Sequence, residues 1–294
     1  MSGNRLKIRI FCVKLWDLPE IMRLTYKYWG LCILTLIALG SLPFFPSIPQ
    51  SVSYHDYADK RSLWGMPNFA NVVSNIPFLC VGVFGFLSLG KSVKGGTKTV
   101  MQVTESTKRI PKGLVYLYAL LFAGIFLTGV GSAYYHVAPD NDRLVYDRLA
   151  TILVFMTALA ITVAEFMDYA TGIALLAPLL LFGIGSVMWW HFGDQRGEGD
   201  LRLYNLVQFY PFVFIPLIIL LFYTPNHRPV LLCLSWIIGW YLLAKLFELF
   251  DRAIYSRDGW ISGHSLKHLA AAVATFYLVK MFRQKYLSSE SLVE

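Results

Sequence analysis

Five polar residues that could act together on a metal ion and a substrate lie near the ends of long apolar segments. His136 follows Ser132 by four positions, His268 follows His264 by four positions, and Asp147 opens the segment between them. In a helix, a spacing of four places two side chains on one face, one turn apart. Imidazole nitrogens suit zinc, and a catalytic zinc site keeps one position open for water. The pattern therefore indicates a zinc site that could activate water for hydrolysis.

The chemistry of these groups predicts a role for each. The three histidines would bind zinc through neutral nitrogens, and zinc lowers the pKa of bound water toward about 7. Asp147 would accept a proton from that water or orient it; the alternative is an ion pair with Arg143, four positions earlier. Ser132 would polarise a carbonyl oxygen or hold a ligand in place; the alternative is a hydrogen bond to its own helix backbone.

The composition is that of a membrane protein. The chain has 294 residues, of which 56% are hydrophobic and 15% are charged, whereas soluble domains carry about 25% charged residues. The formal net charge of +8 is concentrated at the amino terminus and in one loop, so it indicates membrane topology rather than nucleic-acid binding. The four cysteines form no C-x-x-C pair, which argues against a disulfide framework and against a thiolate zinc site.

Eight apolar segments are each near the roughly 20 residues that a helix needs to cross a bilayer. They lie at about 28–46, 70–90, 113–137, 144–165, 170–191, 205–223, 230–250 and 263–283. We therefore predict an all-α integral membrane protein in which one extra N-terminal transmembrane helix precedes a bundle of seven. The first segment could be a signal peptide, but a long basic run precedes it and no small-residue cleavage site follows, so an uncleaved helix is favoured.

This organisation gives a predicted domain map and an orientation. The map has a basic cytoplasmic tail at 1–27, the extra helix at 28–46, the seven-helix domain at 53–285 and a C-terminal tail at 286–294. With eight crossings, the basic stretches at 1–27, 91–112 and 280–285 fall on one side, which the positive-inside rule assigns to the cytoplasm. The five polar residues then lie within roughly 10 Å of the non-cytoplasmic face.

Two other groups of polar residues lie on the same side as the five. Lys245 and Glu248, three positions apart, indicate an ion pair within the bundle, with lipid head-group binding as the alternative. His55 and His191 are assigned to the membrane interface.

The five polar residues resemble the alkaline ceramidases of the wider CREST superfamily of seven-helix membrane hydrolases. The pattern of that superfamily is Ser-x3-His at the end of one helix, Asp at the start of the next and His-x3-His in the last, matched here by Ser132, His136, Asp147, His264 and His268. The sequence Asn-Val-Val-Ser-Asn at 71–75 also resembles a ceramidase motif at the start of the first core helix. The likeness covers roughly residues 53–285.

The resemblance implies a CREST-type seven-helix bundle and a role in sphingolipid metabolism. The expected reaction is zinc-dependent hydrolysis of the N-acyl bond of ceramide or a related lipid, which gives a sphingoid base and a free fatty acid. The resemblance implies that the three histidines bind zinc, that Asp147 activates the water and that Ser132 stabilises the oxyanion. The alternatives are a hydrolase of another membrane lipid ester and a non-enzymatic seven-helix receptor with structural zinc.

The resemblance also sets expectations for ions, partners and location. Eukaryotic alkaline ceramidases carry a calcium site before the first core helix, and by spacing Asp59 and Asn68 fall on ligand positions. Calcium prefers several oxygens with carboxylates among them, but other acids of the pattern are missing here, and with the extra helix this looks more like bacterial relatives. The expected partners are a membrane lipid and the bilayer, in the inner membrane if the protein is bacterial or the endoplasmic reticulum or Golgi membrane if eukaryotic.

Overall fold

The computed structural model describes residues 20–98 and 110–287. Contacts within the chain define two compact units, Met1–Pro46 and Ser47–Glu294. The first contains helix α1 (Glu20–Ser41) and a short 3-10 helix at Leu42–Phe44. Helix α1 begins at Glu20 rather than near residue 28, so it extends into the predicted basic tail.

The second unit contains nine α-helices in the part of the chain that the structure describes. They are α2 (Phe69–Val73), α3 (Ile76–Lys98), α4 (Lys112–Val137), α5 (Asn141–Phe166), α6 (Tyr169–Gln195), α7 (Arg202–Leu221), α8 (Arg228–Leu249), α9 (Asp251–Asp258) and α10 (Gly263–Tyr286). Two 3-10 helices, Val52–His55 and Pro225–His227, lie in connecting segments. The predicted segments at 70–90 through 263–283 all correspond to long helices.

Seven helical spans are long and apolar enough to cross a membrane, counted over the described residues. They are Leu24–Phe44, Phe69–Lys94, Lys112–Val137, Asn141–Phe166, Tyr169–Gln195, Arg202–Leu221 and Arg228–Leu249. These spans confirm an all-helical, multi-pass membrane protein. Helix α10 has 24 residues but is less apolar, because it carries Lys267 near one end and Arg283 near the other. The predicted count of eight crossings depends on this helix.

The helices of the second unit surround a cavity of about 410 Å³. Helix α5 packs against α4, α6 and α7, and α10 packs against α8 and α3. Contacts of α3 with α4 and of α7 with α8 complete a ring of six helices, outside which α6 lies against α5 and α7. The cavity lining comes mainly from α4, α5, α7, α8 and α10, and it extends along α4 from His136 to Tyr118. At 1.5 Å per residue this is about 27 Å, close to the thickness of the hydrocarbon core.

A buried carboxylate lies at the end of the cavity near Tyr118. Glu165 accepts hydrogen bonds from the hydroxyls of Tyr118 at 2.9 Å and Tyr286 at 2.7 Å. The Lys285 amino group lies 2.9 Å from the second oxygen of Glu165. Both carboxylate oxygens of Glu165 therefore have polar partners. We interpret the cluster as a structural link between α4, α5 and α10.

Two glycines allow close approach of the helices that carry the five polar residues. A methyl group on Gly131 would lie 2.6 Å from the carbonyl oxygen of Tyr146 and 3.3 Å from the amide nitrogen of Asp147. A methyl group on Gly263 would collide with the carbonyl oxygen of Phe247. Glycine at these positions therefore lets α4 touch α5, and lets the start of α10 touch the end of α8, at the level of the site.

Candidate metal centre

The three histidines converge at one end of the cavity, as predicted. His136 lies in the last turn of α4, and His264 and His268 lie in the first two turns of α10. Each is at most 5% exposed, and one candidate ligand atom from each lies within 4.8 Å of the others. The spacing of four residues within α10 and the opposite directions of α4 and α10 bring the three rings together.

The distances fit a metal ion held between imidazole nitrogens. The Nε2 atoms of His136 and His264 are 3.2 Å apart. Two nitrogens that bind one tetrahedral zinc at 2.0–2.1 Å are separated by about 3.3 Å. The Nδ1 atom of His136 is buried and has no hydrogen-bond partner among the described residues. The Tyr57 ring covers the cluster, with its centroid 4.8 Å from that of His136 and 4.2 Å from that of His264.

Ser74 and Asn75 contact one ring nitrogen of His268. The Ser74 hydroxyl lies 3.1 Å from the carbonyl oxygen of Asn71 and 2.8 Å from Nδ1 of His268, and the side-chain amide nitrogen of Asn75 lies 3.4 Å from the same Nδ1 atom. Hydrogen-bonding neighbours of this kind orient a ligand ring toward a metal ion.

The motif at 71–75 also joins three parts of the second unit. The Asn71 amide nitrogen donates to the carbonyl oxygen of Asp59 at 3.1 Å, and its oxygen accepts from the Ser265 hydroxyl at 2.8 Å. Asn71 is fully buried, so these bonds fix α2 against the first turn of α10. The motif suggested a resemblance in sequence, and the structure shows that it orients α10 and one of its histidines.

We expect Ser74→Ala to weaken metal binding without unfolding the protein. The change removes the hydroxyl that contacts His268 Nδ1, and loss of such an outer contact typically weakens metal affinity by about 10–100-fold. Competition with a chromogenic chelator measures the affinity. Ser186→Ala is the matched control, because Ser186 is also buried but donates to the carbonyl of Gly183 within α6 at 2.6 Å. Equal affinities in the two variants would exclude this role for Ser74.

Asp147 and Ser132 line the same cavity as the three histidines. The Ser132 side chain lies close enough to the Asp147 carboxylate to influence its ionisation. The alternative partner of Asp147, Arg143, instead forms an ion pair with Asp140. Helix α5 begins at Asn141 rather than near residue 144, because Asp140 accepts from the amide of Arg143 at 2.7 Å and caps it. Asp147 therefore lies in the second turn rather than the first.

A chain of hydrogen bonds runs from the histidine cluster toward the end of the bundle. The Tyr57 hydroxyl donates to the Tyr135 hydroxyl at 2.6 Å, and His55 Nδ1 lies 2.8 Å from the same Tyr135 oxygen. The other ring nitrogen of His55 lies 2.9 Å from the Asn141 side-chain oxygen. The sequence did not predict these hydrogen bonds, because each joins residues roughly eighty positions apart. The one available signal was the position of Tyr135 directly before His136.

The predicted ion pair between Lys245 and Glu248 is present, at 2.6 Å. The second oxygen of Glu248 contacts the Lys267 amino group at 2.5 Å, a partner that the sequence did not identify. All three residues line the cavity. A glutamate shared between two lysines pairs with both ammonium groups, leaves one net positive charge among the three residues, and joins α8 to α10.

The two predicted calcium ligands lie near the metal centre and have other partners. The Asp59 carboxylate accepts from Arg61 at 2.9 Å and 2.7 Å. Burial disfavours its charged form, but these bonds outweigh that effect and hold the pKa of Asp59 below its ordinary value. The Asn68 amide nitrogen donates to the carbonyl oxygen of His136 at 3.0 Å. Calcium binding at Asp59 and Asn68 stays a prediction.

Comparison with protein-family models, with curated proteins and with solved structures finds no match.

Proposed function

We propose that this protein is a zinc-dependent membrane amidase that hydrolyses the N-acyl bond of ceramide or a related lipid. The observation that carries the proposal is the convergence of three buried histidines at the end of a long apolar cavity, which Asp147 and Ser132 also line. The resemblance of these residues to the alkaline ceramidases suggests the substrate class and a CREST-type arrangement of the seven helices.

The donor set suits zinc. Three neutral imidazoles form a common catalytic zinc set that leaves a fourth position free, whereas calcium and magnesium prefer oxygen ligands. Bound at His136, His264 and His268, zinc would supply Lewis-acid activation of a water molecule. The contact of Ser74 with Nδ1 of His268 leaves Nε2 of that ring available for this role.

The protein groups around the ion would complete the reaction. Asp147 accepts a proton as the water oxygen bonds to the amide carbonyl carbon, and returns it to the nitrogen as the carbon–nitrogen bond breaks. Ser132 holds the Asp147 carboxylate in position or donates to the carbonyl oxygen. The products are a free fatty acid and an amine, here a sphingoid base. The apolar cavity holds a hydrocarbon chain and keeps bulk water away from the reacting groups.

The charge distribution of the second unit supports a site on the non-cytoplasmic side. Basic residues lie at the end of the bundle opposite the histidines: Lys91, Lys94, Lys112, Arg228, Lys280 and Arg283. By the positive-inside rule, that end faces the cytoplasm. Helix α10 would cross the membrane as the last helix of the seven, with Lys267 paired by Glu248, and α1 would bring the total to eight. The membrane would be the bacterial inner membrane, or in a eukaryote that of the endoplasmic reticulum or Golgi.

The test is a lipid-cleavage assay on the purified protein in detergent. We expect fatty-acid release from ceramide, measured by mass spectrometry, to stop on addition of a zinc chelator and to return when zinc is restored. A diacyl phospholipid and an N-acyl ethanolamine assayed in parallel separate ester from amide hydrolysis. Cleavage of the ester alone would favour a lipid esterase. A protein that holds zinc and cleaves none of these lipids would contradict the proposal and favour a receptor.

A further inference from the structure

Arg148 is a buried cation that the proposed chemistry does not use. It follows Asp147 in α5, is 4% exposed and lines the cavity. No carboxylate lies within ion-pair distance of its guanidinium among residues 20–98 and 110–287, and its Nη1 atom is buried without a hydrogen-bond partner in the same ranges. An unpaired charge in such a place is costly and is therefore expected to serve a ligand.

The surrounding side chains hold this guanidinium in a fixed position. Its central carbon lies 3.9 Å from the ring centroid of Trp190 and 4.4 Å from that of Tyr204. Its Nη2 donates to the side-chain oxygen of Gln50 at 2.6 Å. These contacts are neutral, so they orient the group without cancelling its charge. Trp190 is fully buried, which makes the stack rigid.

The charges of the cavity near the site favour an anion. The lining there includes three cations, Arg148, Lys245 and Lys267, and two carboxylates, Asp147 and Glu248. Glu248 is shared by the two lysines, and the Asp147 carboxylate has Lys267, Ser132 and Arg148 as electrostatic neighbours. The excess is one positive charge before any metal ion is added, and Nη1 of Arg148 is a buried charged donor without a partner among the described residues. Lys and Arg pairing with phosphate or carboxylate is strong when the groups are removed from water.

We propose that Arg148 binds a phosphate group on the head of the lipid substrate, so that the preferred substrate is an anionic N-acyl lipid rather than a neutral ceramide. This inference rests on the proposed amidase function and names the substrate class. The lipid tail occupies the apolar cavity, the amide lies at the histidines, and the phosphate contacts Nη1 of Arg148. A guanidinium, unlike an ammonium, offers a planar donor fork that matches the phosphate oxygens.

The test compares two ceramides that differ only in a phosphate on the primary hydroxyl. Their fluorescent short-chain forms are titrated into chelator-treated protein, so that binding is measured without hydrolysis. We expect the phosphate lipid to bind at least about tenfold more tightly to the wild type. Arg148→Met should abolish the difference and leave neutral-lipid binding unchanged. Arg143→Met is the matched control, because Arg143 lies in the same helix and already has Asp140 as its partner.

The outcomes separate this inference from the amidase proposal. Equal binding of the two lipids to the wild type, or a preference that survives Arg148→Met, would overturn the role of Arg148. Should Arg148→Met fail to fold, Arg148→Lys decides: a reduced preference with unchanged neutral-lipid binding supports the role, and an unchanged preference contradicts it. Inorganic phosphate alone that binds as tightly as the phosphate lipid would show a free-anion site and contradict the lipid head group. If zinc-loaded protein prefers the phosphate lipid but hydrolyses neither lipid, the amidase proposal would be wrong and the role of Arg148 would stand.

Discussion

Replacing His264 by alanine is expected to remove the bound zinc and to abolish lipid hydrolysis. The change takes away one of three nitrogen donors, and two imidazoles do not form a stable zinc site. The loss of activity should exceed the roughly 10–100-fold effect of an outer contact such as Ser74. The start of α10 should persist, because the amide of residue 264 still donates to Asp251 at 2.7 Å. Metal content by mass spectrometry and fatty-acid release measure the two effects.

The matched control for this experiment is His191→Ala. His191 lies in α6, which contributes no residue to the cavity lining, and its Nε2 contacts Gln195 at 3.2 Å. We expect this variant to keep both zinc and activity. If His264→Ala instead retained one zinc per chain, the three histidines would not be the metal ligands and the proposed mechanism would be wrong.

Replacing Asp147 by asparagine is expected to lower the rate of hydrolysis by about 10²–10⁴-fold while zinc stays bound. Asparagine keeps the shape of the side chain and can still contact Ser132, but it cannot accept the proton that the attacking water must lose. The Michaelis constant should change little, since the cavity that binds the lipid is unaltered. Steady-state kinetics together with metal analysis test these expectations.

Asp142→Asn provides the comparison for Asp147→Asn. Asp142 lies one turn earlier in α5 and its side chain is 78% exposed, so its replacement removes the same charge away from the cavity. Full activity is expected. Loss of zinc from Asp147→Asn would show that this carboxylate is itself a ligand, and unchanged activity would remove Asp147 from the mechanism.

The convergence of the three histidines was predictable from the sequence, because these residues carry local signals. Polar residues at the ends of apolar segments are few, and the spacing of four within α4 and α10 places the histidines on defined faces. Helix positions were also predictable, although α5 begins earlier than expected; Asp140 in its capping position was the available signal. The number of crossings depends on α10. Its Lys267 pairs with Glu248 of α8, a contact that the sequence alone does not show.

What the sequence could not predict are contacts between residues that are far apart along the chain. Ser74 meets His268 across 194 positions, and Lys267 meets Glu248 although neither residue indicates which helix the other occupies. Arg148 was overlooked because an arginine next to an aspartate suggests an ordinary helix start. Only the packing of α5 against α6 and α7 shows that Trp190 and Tyr204 enclose its guanidinium.

The contact of Gly131 with the backbone of α5 has a consequence for how such a bundle could diversify. There, the separation between the residues of α4 and Asp147 is set by main-chain atoms, which cannot change rotamer. The part of the cavity wall that α7 and α8 supply, in contrast, consists of side chains. Under the proposed function, exchanges in that wall would reshape the space for a hydrocarbon tail while the reacting groups keep their distances. Chemistry and lipid choice would then be separable, the first held by main-chain packing and the second open to variation.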